Sequence, residues 1–280
     1  MNKEEKILRE INKQVEANTN SIWIYNLDLS KLEISEEVLG GKESDSSELK
    51  FDSCNLSEIP KVVFHKVGLN SLNLINNNIK KIPKEITKLK YLTRLSFEEN
   101  ELTSIPEFLC KLEYLSSLDF RDNKITKIPE CLKELKALKR LSFSNNPIKT
   151  IPEWFGDFTE LQDLHLDKLF DDELPSWLFK LYKLDELRIN DCGLRRLPNE
   201  FDVFKALNTL SLSNNPFEKF PEQLFKLDNL EELFLNNTGL DTLPIELLEV
   251  ENLNYIEFYD NGWTELPKFW KNQDKIDIEI

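Results

Sequence analysis

With only seven glycines and two histidines in 280 residues, this chain has little material for several kinds of chemistry. It contains no Gly-rich phosphate loop, no HExxH and no CxxC, the short patterns on which nucleotide-dependent and zinc-dependent catalysis usually stand. The four cysteines, Cys54, Cys110, Cys131 and Cys192, are too sparse for metal-ligand spacing or a disulfide framework. They are expected to be reduced thiols used as small apolar residues. No apolar run approaches the length of a membrane span, and the N-terminal MNKEEKILREINKQVEANTNS has no signal-peptide core, which points to a cytoplasmic protein that does not meet membranes. Acidic residues outnumber basic ones, 51 to 36. A formal balance of −15 argues against nucleic acid, whose phosphates call for concentrated Lys and Arg, and suits a basic or mixed protein partner.

What the chain has in quantity is apolar residues at a fixed interval. The first member of an LxL pair recurs at Leu49, Leu72, Leu95, Leu118, Leu141, Leu164, Leu187, Leu210, Leu233 and Ile256, every step being 23 residues. Around each stands the template LxxLxLxxNxLxxLPxxxxxxLxx, seen in LTRLSFEENELTSIPEFLCKLEY from Leu92 and LKRLSFSNNPIKTIPEWFGDFTE from Leu138.

Such repeats resemble the leucine-rich-repeat family, in its 23-residue class with a proline after the fourth core position, over residues 49 to 270. Similar repeats occur in Ras-suppressor proteins, plant intracellular Ras-group proteins and many bacterial proteins. The resemblance implies an α/β solenoid, with a curved parallel β-ribbon on the concave face and short helical or 3-10 return segments on the convex side.

Side-chain alternation explains the template without the family. Both residues of LxL share one side of a strand and enter the core, while their neighbours face outward. Asn77, Asn100, Asn123, Asn146, Asn215 and Asn261 recur where the chain turns, placing a side-chain amide against buried backbone groups. Cys54, Cys192 and Thr238 can partly replace it, but Leu169 cannot, so LFDDE (Leu169–Glu173) is expected to leave the regular turn, with Phe170 refilling the vacancy. The prolines from Pro60 to Pro267 open a return segment, and pairs such as Ile86 with Leu89 pack it onto the strands. One repeat cannot bury both rows alone, so neighbours must stack.

Three regions are expected. Residues 1–48 form an amphipathic capping helix (Ile7, Ile11, Val15), a degenerate repeat with Leu27 and Leu29 as its LxL pair and Ile34 as the next core position, and a polar loop from Gly40; 49–271 hold ten repeats; 272–280 form an edge strand through Ile276, Ile278 and Ile280.

Binding of a protein partner on the concave face is the expected function. Its candidate contacts are Arg94, Arg121, Arg140, His165 and Arg188, with Phe234, Tyr255 and Tyr259 as aromatic anchors, the residue types that dominate interface energy. A second candidate is the row Phe108, Cys131, Trp154 and Trp177, two residues after successive prolines, which is either an exposed docking or self-association strip or lateral packing between return segments. Self-association of an otherwise monomeric chain, or delivery as a secreted effector, are the alternatives to a monomeric adaptor. The remaining histidine, His65, falls in the first return segment. Ser142, His165 and the carboxylates of Asp119, Asp163 and Asp167 share the outward face, but a shallow ribbon offers no water-excluded pocket, so no catalytic residue, metal or cofactor is assigned.

Overall fold

The computed structural model describes residues 3–16, 21–32, 34, 35, 39 and 47–280. The chain forms two compact units, Met1–Leu138 with Asn146–Thr150 and Lys139–Asn145 with Ile151–Ile280. In the first, helix α1 (Lys3–Glu16) lies against strand β1 (Ser21–Tyr25), which is followed by β2 (Glu48–Asp52), β3 (Ser71–Asn73), β4 (Arg94–Ser96) and β5 (Ser117–Asp119). The second holds β6 (Arg140–Ser142), β7 (Asp163–His165), β8 (Glu186–Arg188), β9 (Thr209–Ser211), β10 (Glu232–Phe234), β11 (Tyr255–Glu257), the short helix α2 (Lys268–Lys271) and β12 (Asp277–Glu279).

Within each unit consecutive strands pair in parallel, and the repeat period is the register. Leu72 faces Leu95 and Leu95 faces Leu118 in the first unit; Leu141 faces Leu164 in the second, and the row runs on to Ile256 opposite Ile278. These side chains are all but inaccessible to solvent. Between strands, five-residue 3-10 segments follow the prolines, as Lys84–Lys88 follows Pro83, whose carbonyl accepts the first turn bond from the Ile86 amide. Ile86 and Leu89 are fully buried, so each return segment fixes itself to the strands by apolar contact, with no side-chain cap.

The asparagine row carries the turns. Asn77 Oδ1 accepts from the amides of Cys54 and Leu56, one repeat earlier, while its Nδ2 donates to the carbonyls of Phe51, Leu74 and Ile75. The residue before each ladder position takes a left-handed backbone, from Asn76 through Asp260, a conformation Asn and Asp tolerate better than most residues. LFDDE departs from the pattern as expected: Asp172 adds a second left-handed residue, and Phe170 packs against Trp177 with ring centroids 6.4 Å apart.

Two expectations are corrected, and a third point, left open between two readings, is decided. The core pair of the first strand is Ile22 and Ile24, aligned with Leu49 and Phe51, and not Leu27 and Leu29, because the first interval is 27 residues instead of 23. Leu29 and Ile34 are nonetheless buried. Cys110 and Cys131 are joined by a disulfide across neighbouring return segments, Cα atoms 5.9 Å apart, whereas Cys54 and Cys192 are the buried free thiols foreseen. Trp177 is fully buried, between Phe155 and Phe170, so it belongs to the core and to no exposed strip. Gly156 lets the next return segment approach closely: a Cβ there would stand 2.8 Å from Lys180 Cδ and 3.1 Å from the Trp177 carbonyl oxygen. The polar loop from Gly40 and the Val15 side chain lie outside the described residues.

Candidate binding face

Outward strand positions stand side by side at parallel-strand spacing, so residues 23 apart in sequence are lateral neighbours. That single fact decides what the predicted contacts do. In the first unit, Arg121 lies 2.8 Å from Glu98 and 2.9 Å from Asp119. Burial raises the Glu98 carboxyl above the usual carboxylate range although Arg121 opposes it; burial would lower the guanidinium, but Asp119 and Glu98 hold it further protonated. Arg94 reaches only the Ser71 hydroxyl, 3.4 Å away, and makes no ion pair among the described residues.

The second unit repeats the theme. Arg140 pairs with Asp163; Arg188 lies 2.6 Å and His165 3.0 Å from the same Glu186 oxygen. Hydrogen bonding from His165 first, then from Arg188, pulls the Glu186 carboxyl down to about 2 against the opposing effect of burial. Arg121 and Arg140 are thus paired with carboxylates one repeat away, and Arg188 with Glu186 on its own strand. Ser142 and Ser144 stand at outward register positions but are buried. The Ser142 hydroxyl is buried without a hydrogen-bond partner, so His165, engaged with Glu186, does not activate it.

Beyond β8 the face changes character. Phe234 and Tyr255 meet edge to face at 5.9 Å, and Tyr259 keeps 37% of its surface exposed. The Tyr255 hydroxyl donates to Glu257 at 3.1 Å, Asn236 donates to the same carboxylate at 2.8 Å, and the Tyr259 hydroxyl donates to Glu279. The bond to Glu279 pushes the Tyr259 phenol up to about 12; burial, then Glu257 and Glu279, push Tyr255 up as well. No Lys or Arg occupies an outward position on β10, β11 or β12 among the described residues, so Glu232, Glu257, Asp277 and Glu279 keep their charge uncompensated there. Glu279, legible in the sequence as an acidic edge-strand residue alternating with Ile276, Ile278 and Ile280, was not among the predicted contacts.

The second predicted row does not form one surface. Phe108 and Trp154 are half-buried, Cys131 is tied to Cys110, Trp177 is interior, and Trp154 rests on Phe155 at 5.2 Å. His65 is exposed at the end of its return segment. Among the described residues no group of His, Cys, Asp and Glu is arranged to hold a metal ion, and no helix is long and apolar enough to cross a membrane.

A family model described as "Leucine-rich repeat region" matches residues 49–167 and 94–200, and one described as "Leucine Rich Repeat" matches 206–227, together more than half of the chain. No curated protein matches it in sequence. Among solved structures it is similar to an internalin, InlF, of Listeria monocytogenes (18% identity, 98% of this chain and 93% of that one, TM-score 0.60). It is also similar to the functional domain of InlJ from the same organism, which includes a cysteine ladder (21%, 89% and 55%, TM-score 0.62). A third is the ectodomain of the Arabidopsis receptor kinase HAESA in complex with an extended IDA peptide hormone (23%, 84% and 42%, TM-score 0.62). At these identities the likeness is one of fold, and this chain spans about half or less of the InlJ and HAESA chains.

Proposed function

Because the chain belongs to the leucine-rich repeat family, a family of interaction modules, we propose that it is a non-catalytic binding protein that holds a protein partner on the outward face of its strands. The observation that carries this reading is the cluster Phe234, Tyr255 and Tyr259, set among carboxylates that make no ion pair among the described residues. Aromatic rings with one face packed and one wet are the usual anchors of an interface. In the second unit Arg140 and Arg188, already paired with carboxylates, share the outward face with that anchor; in the first unit Arg121 is paired likewise, and Arg94 keeps its charge for a partner. The HAESA ectodomain, with its peptide hormone, is one example of a similar fold in such a role.

Purification of partners from source-cell lysate on immobilised protein tests the reading, with the triple variant Phe234→Ser, Tyr255→Ser, Tyr259→Ser beside the wild type. The specific partner is expected to disappear with the triple variant and to persist with Tyr182→Ser, an exposed ring outside the strands. Equal capture by both variants would refute the assignment of the face. Self-association and export as an effector are carried by no comparable observation, since the apolar row on which self-association rested is broken by burial and by the disulfide.

A further inference from the structure

A chain whose total charge is −15 contains a strongly basic stretch: residues 59–94 hold seven lysines and one arginine against a single glutamate. The fold gathers part of this stretch around a groove of about 760 Å³ in the first unit, lined by the return segments Lys61–His65 and Lys84–Lys88 and by the chain leading into them. Its floor is apolar, made by the buried Ile59, Phe64 and Ile82 and by half-buried Pro83. Lys61, Lys81 and Lys88 stand around it, exposed and without an ion pair among the described residues. Lys80 also lines it, 3.6 Å from Glu101 outside. Glu58 and Glu85 reach the groove too, so four ammonium groups face two carboxylates, with His65 beside them.

We propose that this groove binds an extended acidic peptide segment of a partner protein, an apolar side chain of the segment lying on the floor and its carboxylates meeting Lys61, Lys81 and Lys88. Alternation along an extended chain delivers the two kinds of side chain to opposite sides, which suits a floor of one character and a rim of the other. The volume is that of a site for a ligand of a few side chains. Single-stranded nucleic acid is served by aromatic platforms and Arg, and this floor is aliphatic and proline with its one phenyl ring buried. A bilayer is entered by protruding apolar residues, which a concave floor does not supply. None of the lining residues belongs to a strand, so this site is separate from the sheet face and stands or falls independently of it.

Fluorescence anisotropy of a labelled dodecapeptide of alternating Glu and Leu, titrated with the full chain, tests the proposal. Saturable, salt-sensitive binding is expected. Lys61→Glu with Lys81→Glu and Lys88→Glu should weaken it by at least about tenfold, since removing complementary rim charges slows capture and leaves like charges apposed. All three side chains are exposed, and an unchanged thermal transition would confirm that the fold survives. Reversal of Lys205, Lys226 and Lys271 in the second unit should leave binding intact. An alternating Glu and Ser peptide should bind at least about tenfold more weakly, for want of the apolar contact. The proposal is overturned by any of the following: no binding of the Glu–Leu peptide, equal binding by the Lys61/Lys81/Lys88 variant, equal loss in the second-unit control, or equal affinity for the Glu–Ser peptide. Lysine-dependent binding of oligothymidylate or of phosphatidylserine vesicles in place of the peptide overturns it as well.

Discussion

Replacing Asn100 by alanine isolates what one rung of the asparagine ladder contributes. Its Oδ1 accepts from the Ile79 amide at 3.0 Å, and its Nδ2 donates to the carbonyls of Leu74, Phe97 and Glu98 at 2.8, 3.1 and 3.0 Å. The three carbonyls are not stranded by the change: Leu74 still accepts from Asn77, Phe97 from Asn123 and Glu98 from the Asn76 amide. The Ile79 amide has no second acceptor among the bonds described, so it becomes a buried, unpaired donor, a penalty of about 1–3 kcal/mol. Loss of three bonds to carbonyls that keep another partner adds at the lower end of about 0.5 kcal/mol each. A destabilisation of about 3 kcal/mol follows, measurable by urea unfolding followed by circular dichroism. Asn100→Asp sharpens the test. It keeps the acceptor for Ile79 but brings negative charge onto three carbonyls, so it should be worse than alanine at neutral pH and improve as the carboxyl is protonated. A cost for alanine below about 1 kcal/mol, or undiminished hydrogen-exchange protection of the Ile79 amide, would refute the reasoning.

Trp177→Ala should cost about 3–5 kcal/mol, as emptying a large aromatic site does. Trp177→Phe should cost about 1 kcal/mol or less, because the indole N–H it removes is buried without a hydrogen-bond partner and its loss offsets part of the lost contact; equal costs in denaturant titrations would contradict this. Glu186 is ionised in the fold well below its ordinary range, so it contributes stability that is complete above about pH 4.5 and is lost as pH falls toward about 2. At a side chain one-quarter exposed this amounts to about 2 kcal/mol at most, and Glu186→Gln should flatten that limb of the stability–pH curve. Thiol titration of the native protein at pH 8 should find Cys54 unreactive, burial having pushed its thiol up to about 11, and peptide mapping without reductant should recover Cys110 linked to Cys131. Recovery of all four thiols free from source cells would instead fit the reducing cytoplasm expected from the sequence.

The repeats were legible because a solenoid turns a sequence period directly into a spatial register: once Leu72, Leu95 and Leu118 are 23 apart, their adjacency follows from stacking. What escaped was whatever depends on a different offset or on two rows at once. The first interval is 27 residues, so the LxL pair Leu27 and Leu29, close to one period before Leu49, was taken where the strand uses Ile22 and Ile24. Cys110 and Cys131 are 21 apart, an offset that spacing rules for metal or disulfide motifs ignore, yet in stacked return segments it brings one turn against the next. Arg140 was read down its own column as a contact for a partner, although Asp163, one period on, was the lateral neighbour that takes its charge. Net charge hides detail in the same way: a total of −15 averages over a basic stretch from Ile59 to Arg94, four of whose lysines line one groove. In a repeat protein the informative quantity is therefore the charge of each column and of its neighbour one period away, because those residues touch, whereas composition sums over residues that never meet.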